Sequence, residues 1–220
     1  MSFTLAAILT LWSTDLVRRR AINQNRFDVP NARSLHANPT PRGGGLAIAV
    51  VVLGMNLVAI AAGFGSPAFA TITWLSAAGY AALGAADDRY SLSVRLRFSV
   101  QLALALFAVS GAYAITGVPL NPLTGALGLL GACLMVWSVN LYNFMDGSDG
   151  IAATLAVSAG VAGAYLANRL HFDGVTVGAA TLAGASAGFL RWNWPPARIF
   201  LGDVGSYFLG AQFALLAFYT

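Results

Sequence analysis

Gly43-Gly-Gly-Leu-Ala-Ile-Ala-Val-Val-Val-Leu-Gly-Met-Asn-Leu-Val-Ala-Ile-Ala-Ala-Gly-Phe-Gly-Ser-Pro67 carries no charged side chain, and the charge-free run continues to Ala86. A membrane-spanning helix needs about 20 apolar residues, so this run holds two of them. Gly63-Phe64-Gly65-Ser66-Pro67 is a turn signal near its middle and predicts a helical pair. A second charge-free run, Phe98 to Met145, is broken in the same way at Gly117-Val118-Pro119-Leu120-Asn121-Pro122. Working outward from these two runs places spans near residues 1–16, 43–63, 68–86, 98–116, 123–142, 151–167, 175–190 and 204–220. Period-2 alternation is absent and lipid leaves no backbone group a water partner, so the expectation is an all-α polytopic bundle of about eight transmembrane helices. Gly178 to Gly188 is rich in Gly and Ala, which predicts close helix packing.

Composition agrees with this reading. Of 220 residues 58% are apolar and only 9% charged, whereas a soluble domain carries about a quarter charged residues. A soluble globular protein is excluded. The cations are 12 Arg without Lys and the anions 8 Asp without Glu, side chains suited to phosphates and hard metal ions. Cys133 is the lone cysteine, which excludes an intrachain disulfide or a thiolate metal cluster and predicts a small packing residue. Phe3 to Trp12 lacks a preceding basic region and a cleavage site, so it reads as a retained helix.

Segments 17–42, 87–97, 143–150 and 191–203 hold eleven of the twelve Arg. The positive-inside rule then puts these loops in the cytoplasm and the N-terminus outside. Seven of the eight Asp gather on the same side, only Asp173 lying opposite. Carboxylates from distant parts of the chain are therefore expected at one membrane face, with no nucleic-acid partner.

Four clusters on that face could carry chemistry. His36-Ala-Asn-Pro-Thr-Pro-Arg-Gly-Gly-Gly45 leads into the second helix, where glycines permit close backbone approach and helix N-terminal amides favour anions. Asp87 and Asp88 close the third helix, where the macrodipole and their mutual repulsion oppose them unless a cation or Arg89, Arg95 or Arg97 compensates. In Asn140-Leu-Tyr-Asn-Phe-Met-Asp-Gly-Ser-Asp-Gly150, the three-residue spacing of Asp146 and Asp149 places both on one side of a helical turn. Asp149 also reads as the N-cap of the sixth helix. The fourth cluster, Asn193 to Ser206, offers Asp203 as an oxygen ligand or cap at a helix start and Phe200 as a stacking platform. Several Asp, glycine-rich backbone and no cysteine cluster suit Mg²⁺ with a phosphate ligand better than zinc.

Thr40-Pro-Arg-Gly-Gly-Gly45, Asp87-Asp88, Asn143-Phe-Met-Asp-Gly-Ser-Asp-Gly150 and Phe200-Leu-Gly-Asp-Val-Gly-Ser206 together resemble, in order and spacing, the polyprenyl-phosphate N-acetylhexosamine-1-phosphate transferase superfamily, glycosyltransferase family 4. Pro-Arg-Gly-Gly-Gly is more similar to the undecaprenyl-phosphate GlcNAc-1-phosphate transferase branch, which starts O-antigen and related cell-envelope glycans, than to the phospho-muramoyl-pentapeptide transferases. The resemblance implies a multi-pass enzyme of the bacterial inner membrane that moves a sugar 1-phosphate from a UDP-N-acetylhexosamine to undecaprenyl phosphate and releases UMP with Mg²⁺ or Mn²⁺. It implies Asp87 and Asp88 as the catalytic pair and Asp203 as metal ligand. Substrate contacts would fall to Asn143, Asp146, Asp149, Asn193, Phe200, His36 and Arg42. A homodimer is compatible with it. The chain, read as one integral-membrane domain over 1–220, lacks the family's last helices and its histidine-rich loop. The alternatives are an inactive truncated binding scaffold or a membrane transporter, for which Gln101 and Asn140 are the notable polar residues within spans. An intramembrane aspartyl protease lacks its Tyr-Asp partner here, and a CDP-alcohol phosphatidyltransferase lacks its arginine-bearing signature.

Overall fold

The computed structural model describes residues 1–30 and 38–219, so His36 and its expected phosphate contact lie outside the described residues. Among the described residues eight helices follow one another: α1 Ser2–Asn23, α2 Gly45–Ala61, α3 Pro67–Tyr90, α4 Val94–Thr116, α5 Pro122–Met145, α6 Ile151–Arg169, α7 Asp173–Asn193 and α8 Gly202–Tyr219. Between α1 and α2 a two-residue antiparallel pair joins β1, Phe27–Asp28, to β2, Thr40–Pro41. The turn signals act as expected. Pro67 stands at the start of α3, where its missing N–H is no loss. Gly117 closes α4 in the left-handed conformation at φ +69°, and Asn121 with Thr124 forms a capping box that opens α5 at Pro122.

Several helices outrun their apolar spans on the charged side. α1 continues past Arg18, Arg19 and Arg20, α4 begins early enough to include Arg95 and Arg97, and α5 carries Asn143. Among the described residues four helices, α3 to α6, are long and apolar enough to cross a membrane, and α2 is a shorter apolar helix. The eight-span expectation is thus met in helix number, while span character by length and hydropathy is met by these four.

Backbone proximity does much of the packing. A Cβ added to Gly184 would lie 2.1 Å from the Phe3 carbonyl oxygen, and one on Gly188 would lie 2.2 Å from that of Ala7, so the glycines of α7 let α1 lie directly on it. Tyr80, Ile48, Met135, Phe189, Tyr207 and Phe208 are fully buried at the centre. Cys133 is exposed and does not pack in that core, contrary to the expectation for a small apolar thiol, because it falls on the outward face of α5 between Leu130 and Leu134, both exposed.

Candidate active site

The charged ends of α3, α5 and α8 and the β2 strand meet at one end of the bundle. Asp88 lies at the centre of this junction. Its Oδ1 accepts from Arg42 Nη2 at 2.5 Å and from the Asp203 amide at 3.0 Å, and its Oδ2 accepts from the Val204 amide at 3.0 Å. The carboxylate at the end of α3 therefore caps the start of α8, where the free amides and the positive macrodipole favour an anion. Asp203, read from sequence as a cap of α8, is instead a first-turn residue with its side chain free to face Arg42 at 3.5 Å.

Asp87 has different surroundings. It is buried, its Oδ1 accepts from the Leu92 amide at 2.8 Å, and its Oδ2 accepts from Arg97 Nη1 at 3.0 Å and from the Tyr207 hydroxyl at 2.6 Å. Of the three arginines proposed to compensate the pair, Arg97 does so for Asp87. Arg89 stacks on Tyr90 instead. Tyr207 was not singled out from sequence. Its signal was present: it follows Asp203 by one helical turn and so shares its face.

Gly44 and Gly45 of Pro41-Arg-Gly-Gly-Gly45 serve backbone-to-backbone contact within the chain, which corrects the reading of their amides as part of an anion cradle. Gly44 N–H donates to the Phe200 carbonyl at 2.9 Å and Gly45 N–H to that of Leu201 at 2.8 Å, while Phe200 N–H donates to the Pro41 carbonyl at 2.8 Å. A Cβ on Gly45 would lie 2.1 Å from Gly205 Cα, and one on Gly84 would lie 2.2 Å from the Asp203 carbonyl oxygen. These positions admit only glycine because α2, α3 and α8 touch there through their backbones. The result places Arg42 beside Asp88 and holds Phe200, half-buried, next to it.

Asn143 accepts from the Ser206 hydroxyl at 2.7 Å, tying the end of α5 to the first turn of α8. Asp146 follows as the C-terminal cap residue of α5. Asn193 and Asp149 are turned to the connecting loop. Asn193 is buried, accepts from the Gly150 amide at 2.9 Å and donates to the Ile199 carbonyl at 3.0 Å. Asp149 accepts from the Ala197 amide at 2.8 Å and does not cap α6; Gly150, at φ +75°, is the N-cap. Thus Asp146 and Asp149 diverge, because the chain leaves helical geometry after Met145 and their expected shared side is lost.

Charge at this junction is only partly balanced. Burial, and then Asp203 and Asp88, raise the Asp146 pKa well above the ordinary carboxylate value, with Arg42 opposing. Asp203 is pushed up to about 6, by burial first and by Asp88 next, again against Arg42. For Arg42 burial works against the charge, but Asp88 and Asp203 outweigh it and raise its pKa. Among the described residues no three acidic, histidine or cysteine side chains form a ready-made metal cage. Mg²⁺ ordinarily takes one or two carboxylates, several waters and substrate phosphates. Two carboxylates whose charge is penalised by burial and by each other suit such a cation, which relieves the penalty a proton would otherwise relieve.

Gln101 and Asn140, the polar residues within spans, bond one another: Asn140 Nδ2 donates to Gln101 Oε1 at 2.7 Å and to the Val136 carbonyl at 2.8 Å.

An all-helical bundle with an aspartate-rich junction between its third, fifth and eighth helices defines the class, and residues 70–220 match the model of glycosyl transferase family 4. The chain belongs to this family. It is 35% identical to the probable undecaprenyl-phosphate N-acetylglucosaminyl 1-phosphate transferase of Bacillus subtilis over 99% of its own length and 62% of that protein. It is 33% identical to the decaprenyl-phosphate N-acetylglucosaminephosphotransferase of Mycolicibacterium smegmatis, covering 93% of this chain and 56% of the relative. The phospho-N-acetylmuramoyl-pentapeptide-transferase of Moorella thermoacetica is 33% identical, over 98% of this chain and 74% of that one. The chain thus spans about three fifths of the length of the first two relatives.

Proposed function

We propose that this protein transfers an N-acetylhexosamine 1-phosphate from a UDP-sugar to a membrane polyprenyl phosphate, releasing UMP, as an early membrane step of cell-envelope polysaccharide synthesis such as O-antigen. The substrates are a UDP-N-acetylhexosamine and undecaprenyl phosphate, and the setting is the bacterial cytoplasmic membrane. The observation that carries this reading is the junction of Arg42, Asp88, Asp146 and Asp203, one cation among three carboxylates at one end of an apolar bundle. The relatives named above favour the same chemistry for the family.

Asp203, with Asp146 beside it, would hold Mg²⁺, which supplies neutralisation of the diphosphate as charge builds on departing UMP. Arg42 adds a second positive charge at the same place and orients phosphate oxygens through its planar fork. Asp88, whose two oxygens already accept from Arg42 and the α8 amides, would align the attacking lipid phosphate through Arg42; that phosphate is largely ionised near neutral pH, so alignment matters more than proton removal. Asp87 holds the adjacent backbone through the Leu92 amide and is itself held by the Arg97 and Tyr207 side chains. Phe200 offers a half-buried ring for uracil, and Asn143 and Asp146 line the approach, with Asp149 and Asn193 shaping the loop behind. The commitment of the Asn140 amide to Gln101 and the Val136 carbonyl favours a transferase over a transporter, which would keep such a group for its cargo.

The test is UMP release by the purified 220-residue chain supplied with Mg²⁺, undecaprenyl phosphate and a panel of UDP-N-acetyl sugars. Release that requires the lipid and falls by at least about a hundredfold in Asp203→Asn supports the assignment. Full activity in Asp203→Asn overturns the metal role, and lipid-independent release overturns the acceptor.

A further inference from the structure

Away from the aspartate junction, arginines from two distant segments converge on one indole. The guanidinium carbon of Arg18, on α1, lies 5.2 Å from the Trp192 ring centre, and that of Arg198, in the loop after α7, lies 6.0 Å from the same ring. The two cations are therefore no farther apart than these distances laid end to end. Their platform is fixed: Trp192 Nε1 donates to the Leu11 carbonyl at 3.0 Å, and the Arg198 amide donates to the Trp192 carbonyl at 2.8 Å. Asp15 is the local counter-charge, and Arg18 at 3.3 Å shares it with Arg19 at 2.7 Å. Among the described residues Arg198 has no ion pair, and the buried Nε of Arg18 has no hydrogen-bond partner. Of the two guanidiniums over the ring, Arg18 thus has a carboxylate partner and Arg198 has none among the described residues, and an unmet donor remains on Arg18. On the same helix Leu5, Ile8, Leu9, Trp12 and Leu16 form an exposed apolar stripe at helical spacing that ends at Arg19.

We propose that this arginine–tryptophan cluster binds the phosphodiester headgroup of an anionic glycerophospholipid. Arg18 and Arg198 donate to the phosphate oxygens, and the acyl chains lie along the α1 stripe. A monoanionic phosphodiester matches a site whose second cation is already shared with Asp15, whereas a phosphomonoester would bring nearly twice that charge. Guanidinium forks on an aromatic face are weakly hydrated and suit a phosphate at a membrane surface. The site is separate from the aspartate junction and does not rest on the proposed reaction.

Native mass spectrometry of the full chain in detergent, given equal amounts of phosphatidylglycerol and phosphatidylcholine, tests this. We expect phosphatidylglycerol to be retained about tenfold over phosphatidylcholine, the equivalent of one charge-assisted hydrogen bond. The double variant Arg18→Gln/Arg198→Gln should retain the two lipids equally, and Arg198→Gln alone, on an exposed loop, should lose most of the preference with helical circular dichroism unchanged. Arg169→Gln, in the last turn of α6, should keep it. Equal retention of both lipids by the native chain overturns the proposal, as does an equal loss in Arg169→Gln. Displacement of the bound lipid by undecaprenyl phosphate but not by added phosphatidylglycerol also overturns it. UMP release measured in parallel separates this result from the transferase reading, since either can fail alone.

Discussion

Gly84 and Asp203 show how narrow the tolerances are at the residue scale. With 2.2 Å between a Cβ at position 84 and the Asp203 carbonyl oxygen, a single methyl group must push α3 and α8 apart. Gly84→Ala is expected to cost about 1–3 kcal/mol and to remove most UMP release. Gly54→Ala, where a Cβ meets nothing within 4 Å, should leave both unchanged, and thermal melts with turnover assays check the pair. Asp203 makes a separate prediction. Its folded pKa of about 6 lies above the ordinary 3.8, so across that window the folded state keeps a proton the unfolded chain has released. Stability without divalent cation should therefore fall as pH rises from about 4 to about 6. Added Mg²⁺ should oppose the fall, and Asp203→Asn should flatten that part of the profile. A melting temperature that rises across this range in the metal-free protein would contradict the assignment.

At the scale of elements, α8 is defined by partners it does not carry. Its first amides are capped by Asp88 from α3, its Ser206 bonds Asn143 from α5, and its Tyr207 bonds Asp87. The helices themselves were legible because apolar runs and Gly/Pro breaks are local signals, and the acidic residues stood out because charge is rare in such a chain. What was not legible is which residue serves which. Asp203 and Asp149 each satisfied the local rule for an N-cap, yet Asp88 caps α8 from the end of α3 and Gly150 is the N-cap of α6. The three glycines before α2 looked like a ligand cradle, since a backbone approaching a phosphate and one approaching another backbone need the same residue. Only contacts across 48 or more positions distinguish these cases, and no periodicity records them.

At the scale of the whole molecule, the connections sort into two ends. The Asp88–Asp203, Gly44–Phe200 and Gly150–Asn193 bonds gather one set of helix ends, while Gly65 meets Gly174 at the opposite set. With eleven of the twelve arginines on the first set, a reporter fused after Tyr90 should read on the cytoplasmic side and one fused after His171 on the other side. Both reading on one side would refute the alternating arrangement. The cap of α8 by Asp88 also bears on how the protein is made. Asp88 and the amide of Asp203 are 115 positions apart, so a ribosome must thread four more helices after the aspartate pair emerges before its acceptor atoms meet their donors. During that interval the paired acids lack both the α8 amides and the Tyr207 hydroxyl. Site formation thus waits on α8, whose arrival brings the amides and the hydroxyl that organise the carboxylates.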